Sequence, residues 1–204
     1  MENPSVYIAD RSYGKWDSAD PDFDENALSL KAKSGIEEKL HFSMKCTNIG
    51  MGADLPTFFL DIFQNNKEIL ALLVLFFSGQ KIKQNFEAWI SIFNTIYKRC
   101  SGLLVYFNRE AALIFGLAKL QSKYRQEFST LKLIRYLALD VRQLDMGADD
   151  FQTLIGQNKY SNISTLQQID ESISYTCHLF EVEIDGQLYV FAVYKDRFFL
   201  APRV

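Results

Sequence analysis

A chain of 204 residues that is 48% hydrophobic and 23% charged, with a formal net charge of -3, has the composition of a globular protein, which excludes a disordered tail or a collagen-like fibre. Its length allows one full domain or two small ones, and we read residues 1–204 as one domain whose 17 Phe and 10 Tyr supply the apolar area of a core. Three cysteines, Cys46, Cys100 and Cys177, with no CxxC or Cys/His cluster among them, exclude a disulfide framework and a zinc finger and point to a reducing, cytoplasmic setting.

Residues 1–26 form an acidic N-terminal segment with seven acids against two bases and no clear secondary-structure pattern. Its first residues lack the basic and apolar regions of a secretory signal. Residues 67–142 carry twelve bases against five acids, and residues 143–204 nine acids against four bases. Within one fold, a basic middle between two acidic ends is expected to neutralise itself.

From Ala27 to Lys33 apolar and polar residues alternate, and the alternation returns from Lys39 to Cys46. With Ser34-Gly35 as turn residues between them, the pattern predicts an N-terminal antiparallel hairpin. Asp54 and Pro56 then suit a helix start. The stretch from Leu55 to Phe77 is the most apolar in the chain, but Asp61, Gln64, Asn65, Asn66, Lys67 and Glu68 interrupt it, so it predicts buried helix and no transmembrane segment. A further amphipathic helix is expected from Gln80 to about Arg99.

Leu103 to Phe107 reads as a buried strand, and Asn108 as the cap of a helix running to about Phe128. Leu131 to Val141 fits strand or helix. Strand, helix and strand in this order would make a βαβ crossover, although the pattern does not settle whether the two strands are neighbours or parallel. At the C-terminal end, Tyr175 to Ile184 and Gln187 to Lys195 are dense in β-branched and aromatic residues, and Asp185-Gly186 between them predicts a type I′ hairpin turn. Phe198 to Leu200 adds a third strand. The expected fold class is α+β: an N-terminal β-hairpin, a helical middle, and a C-terminal antiparallel meander packed as one sheet against the helices.

Candidate chemistry is sparse. Asp20, Asp22 and Asp24 match the first ligand positions of an EF-hand loop, but Glu25 stands where the loop needs glycine and Lys31 where it needs a bidentate glutamate. Asp22 with Glu37 and Lys39 resembles the loose PD-(D/E)xK pattern of metal-dependent nucleases, in which carboxylates hold magnesium and a lysine meets the charge on phosphate. Of the two histidines, His41 lies among lysines, and His178 follows Cys177 directly, an adjacency that puts the two on opposite faces of a strand. Glu181, Glu183 and Asp185 share one parity and read as the wet face of a sheet, and Asp149-Asp150 reads as a helix start. The bases of the middle region read as solvated helix faces, and with no recognisable motif nucleic acid is a disfavoured partner.

These readings assign no catalytic residue, metal or cofactor. They favour a non-enzymatic protein-binding or inhibitor module, of the kind exemplified by immunity proteins that neutralise a toxin. The expected binding residues are Tyr13, Trp16, Asp17, Asp20, Asp22, Asp24 and Glu25, facing a partner with a basic surface. A metal-dependent enzyme such as a nuclease is the alternative.

Overall fold

The computed structural model describes residues 5–10, 24–40, 43–47, 57–61, 103–124, 128–141 and 173–201. The expected helices within 62–99, the acidic residues 13–23, His41, Cys100 and Asp149-Asp150 lie outside them. The described elements are strand β1 (Ser5–Asp10), helix α1 (Glu25–Leu40), strands β2 (Lys45–Thr47), β3 (Thr57–Asp61) and β4 (Leu103–Phe107), helix α2 (Arg109–Tyr124), strand β5 (Leu131–Asp140), a 3-10 turn at Ile173–Tyr175, and strands β6 (Thr176–Ile184), β7 (Gln187–Tyr194) and β8 (Arg197–Leu200). The fold class is α+β. None of the described helices is long and apolar enough to cross a membrane.

The strands form two four-stranded antiparallel sheets, β2-β3-β1-β4 and β5-β6-β7-β8. The second is the expected C-terminal meander with one more strand at its front. Its central turn places Asp185 at φ 50° and Gly186 at φ 77°, both in the left-handed region that a type I′ turn requires. The Asp185 carboxylate also accepts from the Thr130 N–H at 2.7 Å and the Ser129 N–H at 3.0 Å, tying the hairpin to the start of β5.

Strand β5 has a bulge between Leu133 and Arg135. Leu133 pairs with Val182 and Arg135 with Glu181, so Ile134 is the extra residue, 46% exposed. One inserted residue reverses the side-chain alternation. Leu131 and Leu133 therefore face the main core with Tyr136, while Leu137 and Leu139 turn to a smaller core on the other side with Cys177, Leu179 and Ala192.

Helix α2 follows its expected cap. The buried Asn108 Oδ1 accepts from the Ala111 N–H at 3.0 Å and from the Ser5 N–H at 2.9 Å, so one side-chain oxygen caps the helix and anchors β1. From Glu110 to Ala118 the helix is buried all round, as it must be when it packs on β1 and β4 at one side and β6 and β7 at the other. Gly116 permits that approach: a Cβ placed on it would overlap the ring of Phe191 in β7. One cluster, including Val6, Ile8, Val105 and Phe107 from the first sheet, Leu113, Phe115 and Leu120 from α2, and Phe180, Val182 and Phe191 from the second, makes the main core.

Several expectations are corrected. Ala27 to Lys33 lies inside α1, not in a hairpin strand, and Ser34-Gly35 is helical as well. Six residues of alternation are outweighed by a longer run of Ala, Leu, Lys and Glu, capped by the Asp24 carboxylate on the Ala27 N–H at 3.1 Å and stitched by Lys33–Glu37 at 3.3 Å. Among the described residues of the second hairpin arm, Lys39 and Leu40 close α1 and only Lys45 and Cys46 are strand, with Cys46 exposed. Thr57–Asp61 is a strand where a helix was expected, since aromatic and β-branched residues find pairing partners on both sides. Within the acidic segment Ser5–Asp10 is the inner strand β1, and the strands form two sheets instead of one. Accordingly β4, α2 and β5 are consecutive, but β4 belongs to the first sheet and β5 to the second, so they make no parallel crossover.

Candidate functional site

The polar centre of the described structure lies at the seam of the two sheets. The end of β4 brings the Phe107 carbonyl there, α2 brings Arg109 and Glu110, β5 brings Tyr136 and β6 brings His178. The alternation of β6 sends His178 to the same face as Phe180 and Val182 and sends Cys177 to the other, as expected for neighbours on a strand. His178 Nε2 lies 2.9 Å from the Phe107 carbonyl oxygen, and Nδ1 lies 3.0 Å from the Tyr136 hydroxyl. A carbonyl can only accept, so Nε2 carries the proton and donates, and Nδ1 accepts from the tyrosine.

Burial holds the His178 ring neutral. Loss of hydration pushes its pKa down to about 4, and the Arg109 guanidinium acts in the same sense, while the bond to the Phe107 carbonyl opposes them. Arg109 sits 5.5 Å above the centre of the Tyr136 ring. Its Nε and Nη2 donate to Glu110 Oε1 at 3.0 and 2.7 Å, which gives the buried carboxylate its charge partner. The Phe180 ring packs against Tyr136 as well, tilted by 37° with its centre 5.2 Å away.

This arrangement suits positioning better than proton transfer, because both imidazole nitrogens are spent on bonds between elements. Cys177 is equally unsuited to nucleophilic work: burial pushes its thiol well above the ordinary range. No group of three metal-ligating side chains converges among the described residues.

Of the expected binding residues, Asp24 and Glu25 fall at the start of α1, Asp24 as its cap, while Tyr13, Trp16, Asp17, Asp20 and Asp22 lie outside the described residues. The nuclease-like pair does not assemble. Glu37 and Lys39 would share a face on a strand, but two positions along a helix they diverge by about 200°. Glu37 Oε1 accepts from the Met44 N–H at 2.7 Å, and this bond holds its carboxyl below the usual range. Lys31, the misfit in the calcium loop, is also within α1.

The acids of β6 face bases across the strand. Glu181 pairs with Arg135, their charged atoms 3.8 Å apart, and Glu183 stands opposite Lys132. The wet face expected for Glu181, Glu183 and Asp185 holds, with Glu183 and Asp185 exposed and Glu181 half-buried, while Cys177 and Leu179 further along the same face are buried. Leu188, opposite Glu183 on β7, is 61% exposed. Arg109, Glu110 and Tyr136 were not singled out as site residues from sequence. Neither the first turn of α2 nor the bulge that turns Tyr136 inward leaves a local sequence pattern that would have joined them to His178.

The chain matches no protein-family model, no curated protein and no solved structure. Its functional reading rests on its own residues.

Proposed function

We propose that the protein works by binding another protein, as an inhibitor of the immunity type, and that it does so in the reducing interior of the cell. The observation that carries this reading is the concentration of acid around Tyr13 and Trp16: Asp17, Asp20, Asp22, Asp24 and Glu25 precede or open α1 with no base among residues 16–26. Such a segment supplies aromatic anchors within a charged rim, the pattern by which a basic partner is steered and held. Among the described residues, His178 is committed to the seam and Glu37 to the α1–β2 connection.

The test is affinity capture from a native lysate with nuclease added, comparing the natural chain with one carrying Asp20→Lys, Asp22→Lys and Asp24→Asn. Asparagine keeps the cap of α1, so charge changes without loss of the helix. Capture of a protein partner that is weakened about tenfold in the variant, mainly through association rate and more so at low salt, is the expected result. Equal capture by both chains would remove the acidic segment from the interface.

A further inference from the structure

The turn between β6 and β7 joins an aspartate to a glycine, and Asp185, Gly186 and Gln187 are all exposed. A nucleophile, the Gly186 nitrogen, and an electrophile, the Asp185 side-chain carbonyl carbon, are thus neighbours in one turn. We propose that Asp185-Gly186 is a site of spontaneous isomerisation to isoaspartate, gated by the hold that Ser129 and Thr130 have on the Asp185 carboxylate.

The step needs no co-reactant but water. The Gly186 nitrogen attacks Asp185 Cγ and forms the N–Cγ bond, while the nitrogen's proton and the carboxyl's hydroxyl leave together as water. Water then adds to the backbone carbonyl carbon of Asp185 and breaks its bond to the Gly186 nitrogen. The chain now runs through the side chain with its composition unchanged, and the former backbone carbonyl has become the free carboxyl. Glycine hinders this attack least of all residues, and a Cβ built on Gly186 would meet nothing within 4 Å, so the surroundings do not shield the nitrogen either.

What resists is the folded turn. Asp185 Oδ1 accepts from the Thr130 N–H at 2.7 Å, the Thr130 hydroxyl at 3.2 Å and the Ser129 N–H at 3.0 Å, and Oδ2 from the Ser129 N–H at 3.2 Å. Loss of hydration acts to raise the carboxyl's pKa, but the bonds from Thr130 and Ser129 outweigh it and hold the group below its usual range, in the ionised form from which no hydroxyl can leave. Ring closure also needs the Gly186 nitrogen turned beside the Asp185 Cβ. At φ 50° Asp185 has the left-handed conformation of a type I′ turn, whose ψ of about +30° puts that nitrogen on the far side of the Cα–C bond.

The Asp185 N–H in turn donates to the Thr130 carbonyl at 3.1 Å, so carboxylate and backbone are released together when the start of β5 leaves β6. Once formed, the isomer cannot close the gate again. Its backbone is one methylene longer than a two-residue turn accepts, and its carboxyl hangs directly on Cα, one bond short of Ser129 and Thr130.

The experiment incubates the full natural chain near neutral pH, both folded and unfolded in urea, and follows residue 185 by peptide mapping with electron-transfer fragmentation, which distinguishes isomers of equal mass. Amide exchange of Thr130 and Phe180 is measured on the same folded chain. The expected slowing on folding matches the protection of the Thr130 amide within about threefold and stays at least about tenfold below that of the Phe180 amide, because local opening is enough. Thr130→Pro removes the shortest N–H bond and the hydroxyl, keeps the carbonyl that the Asp185 N–H uses, and should isomerise about tenfold faster than the natural chain while folded. Isomerisation as fast in the folded chain as in urea, a slowing that follows the Phe180 amide instead of the Thr130 amide, or the natural rate in folded Thr130→Pro would each overturn the proposal. If the variant fails to fold, the comparison with Thr130 and Phe180 exchange in the natural chain decides the matter by itself.

Discussion

The two sheets have the same number of strands and the same antiparallel pairing, and they are built in opposite ways. The second is a meander in which each strand pairs with the next, and β6, β7 and β8 are joined by two-residue turns. The first places β1 between β3 and β4, so that Val6 is paired with Leu60 on one side and Phe107 on the other. Local chemistry suffices to specify the first kind of assembly. The second kind needs partners far along the chain, and it depends on α2 and Asn108 to hold it against its neighbour.

The sharpest way to break this contrast is to insert one alanine between Arg135 and Tyr136. With the register moved by one residue, Leu137 and Leu139 turn to the wrong side and Tyr136 leaves His178. Misplacing two buried leucines alone costs about 5 kcal/mol, comparable to the whole stability of many domains. We expect no cooperative urea transition by circular dichroism. Retention of the natural transition would show that the strand slips at no cost.

A smaller effect is expected from Gly116→Ala, which pushes a methyl into the Phe191 ring and should lower unfolding free energy by about 2–3 kcal/mol despite the better helix propensity of alanine. Adding Phe191→Leu should recover at least about 1 kcal/mol in a double-mutant cycle. Additivity of the two changes would separate α2 from the second sheet.

Asn108→Ala should cost about 2 kcal/mol, because it uncaps α2 and leaves the buried Ser5 N–H without its acceptor. Hydrogen exchange should locate that loss at β1 and the first turn of α2, and leave β6 and β7 protected. Loss spread evenly over both sheets would contradict the division drawn above.

What was legible in the sequence follows the same division. Asp185-Gly186, the cap at Asn108 and the strands on either side of the turn all announce themselves within a few residues. The α1 helix was misread because Leu28, Leu30 and Ala32 alternate with polar residues over a span too short to distinguish the two periods, and Leu30 proves to be exposed. Strand β5 was ambiguous for a physical cause, since a bulge interrupts the very alternation by which a strand is recognised. Strands β1 and β3 were missed because they become strands only through pairing. The seam around His178 was hidden for a related reason: its parts come from positions 107, 109, 110, 136 and 178, and no local pattern joins them.

The placing of β1 has a consequence for how the protein is made. On a ribosome the strand with Val6 and Ile8 emerges roughly a hundred residues before β4, the partner that completes its pairing. At about 5–20 residues per second it waits on the order of 5–20 s with apolar side chains and unpaired peptide groups exposed. The C-terminal hairpins face no such delay, because each strand finds the preceding one already in reach. Nascent chains stalled before residue 103 should therefore be the ones that chaperones hold.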